Sequence, residues 1–196
     1  ISKIAQELEL KIQNPRINEV NAPQILIAGC GTGQHSIASA SQFKDCDVLA
    51  IDLSFSSLAY AKRKTEELGF SNIEYMQADI LNIGALNRKF DIIESAGVLH
   101  HMGDPMAGWK VLADCLNTGG LMNIGLYSES ARQHIVKIRD EIKKSNIDSS
   151  DDAMRSFRNH IVSSKKEHHK LIISSSDFYS MSTFRDLLFH VQEHRF

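Results

Sequence analysis

The sequence predicts an α/β fold, namely a doubly wound, mainly parallel sheet with helices on both faces. Five short apolar runs alternate with longer amphipathic segments, and most runs are apolar at consecutive positions rather than at alternate ones. Consecutive apolar residues are typical of parallel strands covered on both faces. A glycine-rich loop directly after the first run also favours this fold, because such loops connect its first strand to its first helix.

The strands and helices are predicted to alternate along the first two thirds of the chain. The predicted strands are Ile25 to Ala28, Val48 to Asp52, Ile73 to Gln77, Phe90 to Glu94 and Leu121 to Leu126. The predicted helices cover residues 34–43, Ser54 to Leu68, residues 81–87 and a segment that begins at Pro105. This order requires crossover connections, which place helices on both faces of the sheet.

Several residues at the ends of the predicted helices support these bounds. Ser54 is a suitable N-cap, and Gly69 is a natural stop for the same helix. Asp104 followed by Pro105 indicates an N-cap with proline at the first helical position. We expect the pair Gly119-Gly120 to break the chain before the fifth strand.

The pattern changes near residue 127, where charged segments replace the strand-like runs. We therefore expect two domains, an α/β core over residues 1–127 and a helical appendage or substrate lid over residues 128–196. The last helix is predicted from Thr183 to His194. Interspersed charges of both signs are typical of solvated helix faces.

Composition limits the classes of function. The chain has 196 residues and a formal net charge of −2, so no basic surplus indicates a nucleic-acid partner. No run approaches the length of a membrane span. Three scattered cysteines without a CxxC pair indicate neither disulfides nor a thiolate metal site, and a reducing, cytoplasmic location is expected. Because the sequence begins at Ile1, it is expected to be a fragment of a longer protein.

The loop Gly29-Cys30-Gly31-Thr32-Gly33 indicates a nucleotide-like ligand. Glycine lacks a Cβ, so the loop can adopt positive φ and its amides can approach a ligand closely. Asp52 ends the second strand about 20 residues later, where an acid can accept hydrogen bonds from ribose hydroxyls. These two features alone do not separate a nicotinamide enzyme from other enzymes with adenosine cofactors.

Two further residues disfavour a dinucleotide. Gln34 occupies the position where the dinucleotide fingerprint has its third glycine or alanine. Asp79 follows the third strand, where its carboxylate can accept a hydrogen bond from an adenine amine. Two acids facing one ligand suit a cationic cofactor better than a diphosphate, which they would repel.

With these residues the sequence resembles the class I S-adenosylmethionine-dependent methyltransferases, in particular their small-molecule branch. The resemblance covers about residues 20–127. It rests on Ile25 to Gly33, Ala50 to Ser54, Gln77 to Ile80, Phe90 to His101 and Leu116 to Leu121, in this order and spacing. It implies a Rossmann-like sheet whose last strands lie beyond this sequence.

The resemblance also implies roles for individual positions. Gly29, Gly31 and Gly33 would contact the methionine part of S-adenosylmethionine, Asp52 the ribose, and Asp79 with Ile80 the adenine. The implied cofactor site comprises Ala28, Gly29, Cys30, Gly31, Gly33, Asp52, Leu53, Ala78, Asp79, Ile80 and Ser95. The segment Asp177 to His190 resembles the tail of bacterial methyltransferase modules, some of which are joined to tetratricopeptide repeats. Any such repeats would lie outside this sequence, which shows no 34-residue period.

Methyl transfer from a sulfonium needs alignment of donor and acceptor more than it needs a catalytic triad. His100 and His101 follow the fourth strand and are candidates for a general base, although a structural role for them is also open. Tyr127 follows the fifth strand and would line the acceptor pocket or anchor the appendage. His190 and His194 have helical spacing but no third ligand is indicated, so no metal site is predicted.

One departure from the family leaves the function open between three classes. The family commonly has an acid two residues before the first glycine, and this chain has Ile27 there. The leading hypothesis is a methyltransferase with a small-molecule acceptor. A catalytically silent S-adenosylmethionine-binding or scaffold module is the alternative, and an NAD-dependent oxidoreductase comes third. Neither the acceptor nor the oligomeric state follows from the sequence.

Overall fold

The computed structural model describes residues 6–9, 20–43, 45–190 and 192–196. The chain forms two compact units, Ile1–Leu126 and Tyr127–Phe196. All predicted strands and helices lie within these residues, except that the last predicted helix includes residue 191, which is outside them. Within the described part, no helix combines the length and apolar character that crossing a membrane requires.

The first unit contains a five-stranded parallel sheet in the order β3-β2-β1-β4-β5. Its strands are β1 (Gln24–Ala28), β2 (Asp47–Asp52), β3 (Ile73–Gln77), β4 (Phe90–Ala96) and β5 (Leu116–Gly125). The strand order reverses between β1 and β4, which places their carboxyl ends at the switch point where ligands bind in such sheets. The predicted doubly wound α/β fold is confirmed.

Three helices connect these strands, namely α1 (Gln34–Gln42), α2 (Phe55–Glu67) and α3 (Pro105–Cys115). Short 3₁₀ segments occupy Ile80–Leu86 and Leu99–His101. The Ser54 side chain accepts a hydrogen bond from the Ser57 amide and caps α2. Asp104 caps α3 through the amides of Met106 and Ala107, as the sequence predicts.

Both faces of the sheet are covered. Leu26, Leu49 and Ile93 pack on one face with residues of α3, whereas Ile25 and Val48 pack on the other face with residues of α1 and α2. The five side chains are at most 2% exposed. Successive residues of one strand thus enter two different cores, which explains why the strands are apolar at consecutive positions.

The expected break at Gly119-Gly120 is wrong, because β5 begins at Leu116 and runs through both glycines. The register with β4 is irregular there: Phe90 pairs with Leu116, and Ile92 already pairs with Leu121. A Cβ on Gly120 would lie 2.8 Å from the Asp91 carbonyl oxygen. The glycines therefore accommodate a bulge that brings the two backbones close, and they do not end the pairing.

The second unit is helical, with α4 (Gln133–Lys144), α5 (Asp151–Ser163), α6 (Glu167–Ile173) and α7 (Met181–Phe189). A separate core joins these helices and includes Ile138, Met154, Ile161, Ile172 and Phe184, each fully buried. The helix expected from Thr183 to His194 starts at Met181 and ends at Phe189 instead. His190 has extended backbone angles, so the predicted helical spacing of His190 and His194 does not occur.

Candidate functional site

The glycine loop after β1 adopts the left-handed conformation that glycine favours. The φ angles of Gly29, Gly31 and Gly33 are 81°, 51° and 86°. The amides of Gly29 and Cys30 both donate to the carbonyl oxygen of Ile51, each at 2.9 Å. The loop is thereby fastened to the end of β2, where the first predicted acid follows.

The three glycines are required for different reasons. A Cβ on Gly29 would lie 2.2 Å from a methyl carbon of Val98, and one on Gly33 would lie 2.7 Å from the Cβ of Ala61. A Cβ on Gly31 would meet no atom within 4 Å. Neighbouring side chains therefore leave no room for a Cβ at Gly29 or Gly33. Gly31 faces open space that a ligand can occupy.

The Asp52 carboxylate is held by main-chain amides on both oxygens. One oxygen accepts from the Gly31 amide at 2.8 Å, and the other accepts from the Ser54 amide at 2.8 Å. Gln77 donates to the carbonyl oxygen of the next residue, Leu53, at 2.9 Å. Because a carboxylate can accept about four hydrogen bonds, Asp52 retains acceptor capacity for hydroxyl groups of a ligand.

Asp79 is positioned in a similar way at the end of β3. Its carboxylate accepts from the Leu81 amide at 2.9 Å and caps the 3₁₀ segment that begins at Ile80. The side chains of Asp52 and Asp79 are both only partly buried. Two carboxylates with fixed orientation thus face the same region at the carboxyl ends of β2 and β3.

A cavity of about 170 Å³ lies between these loops. Its lining residues are Gly29, Asp52, Leu53, Ala78, Asp79, Ile80, Gly97, Val98, His101 and Met102. Six residues of the predicted cofactor set, Gly29 to Ile80 in this list, therefore converge on one cavity. Gly97, Val98 and Met102 were not predicted, although the φ of Gly97 is +80° and a glycine after β4 could have signalled a second close approach.

The other predicted cofactor residues do not line this cavity. Ala28 and Ser95 are 1% exposed and lie inside β1 and β4. Gly33 is buried under α2, and Gly31 lies at the loop surface. Burial, together with the charge of Asp52, raises the pKa of the Cys30 thiol to about 12, so this cysteine is a poor nucleophile.

The predicted catalytic residues separate into three environments. His101 lines the cavity, whereas His100 is 0% exposed and sits behind it, with the two ring centroids 4.3 Å apart. Tyr127 belongs to the second unit, where the Arg132 guanidinium lies 3.5 Å from its ring centroid. His101 is therefore the predicted base that has direct access to the cavity.

Ile27 occupies the position of the family's usual acid, and the residue beside it on the neighbouring strand β4 is an acid, Glu94. Ile27 is 2% exposed and pairs in register with Glu94 of β4. The Glu94 carboxylate accepts a hydrogen bond from the Ser39 hydroxyl of α1 at 2.9 Å. Glu94 thus points to the α1 side of the sheet, where it lines a second cavity with His35 and Ser39, and it does not line the cavity between the glycine loop and the two acids.

Comparison with known proteins relates the first unit to methyltransferase domains. Residues 25–120 match the family model described as a methyltransferase domain. An uncharacterised protein of Synechococcus sp. is 34% identical over 128 residues, which are 65% of this chain and 31% of that protein. The (S)-coclaurine N-methyltransferase of Papaver somniferum is 26% identical over 115 residues, which are 59% of this chain and 32% of that enzyme.

A solved structure extends the similarity to the fold of most of the chain. PKMT2 from Rickettsia typhi superposes with a TM-score of 0.72 at 21% identity, and the match covers 90% of this chain and 36% of that chain. PKMT2 has also been solved in complex with AdoHcy. The chain spans about a third of the length of the curated relatives it matches.

Proposed function

The chain belongs, through residues 25–120, to the class I S-adenosylmethionine-dependent methyltransferases, and we propose that it transfers a methyl group from S-adenosylmethionine to a small-molecule acceptor. The observation that carries this proposal is the convergence of the glycine loop, Asp52 and Asp79 on one cavity. The proposal extends the family assignment to a site and to a class of acceptor.

In the proposed complex each part of the cofactor has a partner. Asp52 would accept hydrogen bonds from the ribose hydroxyls, Asp79 would accept one from the adenine amine, and Gly29 with the open face of Gly31 would hold the methionine part. Val98 and Ile80 would supply apolar contacts to the adenine ring. The two carboxylates also favour the positively charged sulfonium over its neutral product, which helps product release.

The reaction is an in-line displacement. A lone pair of the acceptor would form a bond to the methyl carbon while the carbon–sulfur bond breaks. The electron pair of the carbon–sulfur bond would stay on sulfur, which would become a neutral thioether. The protein contributes mainly alignment and exclusion of water. If the acceptor is a hydroxyl or an ammonium group, we propose that His101 takes its proton, because this imidazole lines the cavity.

A small acceptor is supported by some of the relatives matched over the first unit, such as the coclaurine N-methyltransferase, whereas the release factor glutamine methyltransferase of Escherichia coli, 36% identical over 56 residues, is named for a protein acceptor. We propose that the helical unit, including Tyr127, recognises the acceptor. We also propose a cytoplasmic location, in keeping with three free, buried cysteines. Ile27 favours the second candidate, a cofactor-binding module without turnover, because the acid that is common at this position in the family is missing.

Two measurements test the proposal. Calorimetric titration with S-adenosylhomocysteine should show one site, and the double variant Asp52→Ala, Asp79→Ala should abolish it. Asp114→Ala is a matched control, because this exposed acid pairs with Lys110 on α3 and does not line the cavity. Unchanged binding by the double variant would overturn the site assignment.

Methyl transfer itself is tested with labelled S-adenosylmethionine and a cell extract separated by size before incubation. Label in the low-molecular-weight fraction is expected. Label only in macromolecules would contradict the small acceptor, and binding without any transfer would favour the silent module.

A further inference from the structure

The second unit brings three potential metal ligands together, far from the proposed cofactor residues in sequence. Glu141 lies near the end of α4, and His168 and His169 lie in the first turn of α6. The Nε2 atom of His168 is 2.6 Å from one carboxylate oxygen of Glu141, and the Nε2 atom of His169 is 3.0 Å from the other. One ligand atom from each residue lies within 4.8 Å of the other two.

The environment of this cluster is partly closed. The side chain of His169 is 0% exposed, that of His168 is 20% exposed and that of Glu141 is 25% exposed. The Nδ1 atom of His169 is buried and has no hydrogen-bond partner in the described part of the chain. The ring of His160 packs edge-on against His169 at 5.9 Å between centroids, and Phe157 contacts the same ring. A buried imidazole is thus held with its Nε2 atom directed at the shared carboxylate.

The donor set suits a divalent transition metal. Two imidazole nitrogens and one carboxylate oxygen form a ligand combination found in zinc sites, where bonds of about 2.0–2.2 Å put neighbouring ligand atoms about 3.4 Å apart in a tetrahedron. The present separations of 2.6 and 3.0 Å are shorter, so small side-chain rotations away from one another would admit the ion. Three protein ligands leave one coordination position for water.

One cation already interacts with the cluster. The Lys166 ammonium lies 2.9 Å from the Glu141 oxygen that His168 also contacts, and the Lys166 side chain is 50% exposed. The Glu141 carboxylate is thus shared between this ammonium and the two imidazoles, and the half-exposed Lys166 can move into solvent when another cation replaces it.

We propose that Glu141, His168 and His169 form a three-ligand site for a divalent transition metal, with Zn²⁺ as the ion that fits best, and that Lys166 competes with the ion for Glu141. The bound ion would join α4 directly to α6, two helices that α5 separates along the chain, and so stabilise the helical unit. The site is separate from methyl transfer, and its existence does not depend on the proposed function.

Direct titration tests the site. The full chain, freed of any affinity tag and treated with chelator, is titrated with Zn²⁺ in competition with a chromophoric chelator. We expect one equivalent to bind and to raise the melting temperature. The variants Glu141→Gln and His168→Ala should each weaken binding at least tenfold, because each removes one of three ligands. His160→Ala is the control, since this ring is close to His169 but supplies no ligand atom.

A fourth variant separates a metal site from a hydrogen-bonded cluster. Lys166→Met removes a positive charge next to the ion and should strengthen Zn²⁺ binding about tenfold. Co²⁺ serves as a spectroscopic probe, because tetrahedral coordination gives intense visible absorption that the Glu141→Gln variant should lose. Absence of stoichiometric Zn²⁺ binding by the unmodified chain, or full retention of binding by a Glu141→Gln, His168→Ala double variant, would overturn the proposal. Circular dichroism shows whether each variant is folded.

Discussion

A hydrogen bond of 2.8 Å joins the Gly31 amide to the Asp52 carboxylate, so the proposed ribose acid also fixes the shape of the glycine loop. The second oxygen of Asp52 accepts from the amide of Ser54, the N-cap of α2. One side chain thus connects the loop after β1 with the helix after β2. Loss of this carboxylate should disturb both ligand binding and local structure.

Substitution of Asp52 distinguishes these two roles. Asp52→Ala removes both main-chain contacts and should lower the free energy of unfolding by about 1–2 kcal/mol, in addition to weakening S-adenosylhomocysteine binding at least tenfold. Asp52→Asn keeps one acceptor oxygen for the Gly31 amide and should lose less stability. Chemical unfolding followed by the fluorescence of Trp109, the single tryptophan, measures the first effect, and calorimetry measures the second. Wild-type affinity in Asp52→Ala would contradict the assignment.

The three glycines of the loop should respond differently to alanine. Gly29→Ala and Gly33→Ala combine a left-handed backbone with contacts under 3 Å and should each cost about 3 kcal/mol of stability. Gly31→Ala bears only the backbone cost of about 1 kcal/mol, because its Cβ meets open space. We expect Gly31→Ala to fold and yet to bind the cofactor poorly. Thermal unfolding and calorimetry on the same samples compare the two properties.

The steric part of the Gly29 effect has its own control. Val98→Ala removes the methyl carbons that a Cβ on Gly29 would meet. The double variant Gly29→Ala, Val98→Ala should therefore be more stable than the sum of the single effects predicts. Strict additivity would show that the backbone angle alone excludes alanine.

The sequence predicted the parts of the site that follow strand ends. Gly29, Asp52 and Asp79 could be found because parallel strands bring their carboxyl ends to one edge of the sheet. Val98 could not, since its role depends on the approach of the β4 loop to Gly29, a contact between residues 69 positions apart in the chain. The roles of His100 and His101 depend on a 3₁₀ turn that directs only His101 to the cavity.

The remaining differences have the same origin in long-range packing. The glycines at 119 and 120 are typical turn residues, but the closeness of the Asp91 backbone, which sequence does not report, keeps them in β5. Glu141 lies 27 residues from His168 and matches no short metal-binding motif. Only the packing of α4 against α6 brings these side chains together, so no metal site was predicted.

The cysteine in the glycine loop should be unreactive in the folded protein. Burial and the nearby Asp52 charge raise the pKa of Cys30 from 9.0 to about 12, so at pH 8 the thiolate is about a thousandfold rarer than in an unperturbed thiol. Alkylation followed by peptide mass spectrometry should label Cys30 only after denaturant is added. Rapid labelling of the native chain at this position would contradict the burial of the thiol.

Glu193 is a buried acid in the helical unit that three arginines contact. Its side chain is 1% exposed. The Oε2 atom lies 3.1 Å from the Arg132 guanidinium and 2.9 Å from the Arg139 guanidinium, and the Oε1 atom lies 3.3 Å from the Arg195 guanidinium. Burial raises the pKa of Glu193, but the arginines outweigh burial and leave that pKa below its ordinary value of 4.5. The ionised form is thus favoured in the folded state.

Replacement of Glu193 should therefore destabilise the helical unit in a pH-dependent way. Glu193→Gln leaves the arginines without their counter-charge and should cost about 3 kcal/mol at pH 7. Because the folded pKa lies below the unfolded one, the stabilisation by Glu193 is complete above pH 5 and disappears as pH falls through the folded pKa. The difference between wild type and variant should shrink accordingly when hydrogen exchange of α4 is measured at pH 7, 5 and 4.

Glu129→Gln is the matched control: this acid pairs with Arg195 at 2.7 Å but is 54% exposed, so its loss should cost no more than about 1 kcal/mol. Equal effects of the two substitutions would mean that burial does not strengthen the Glu193 cluster.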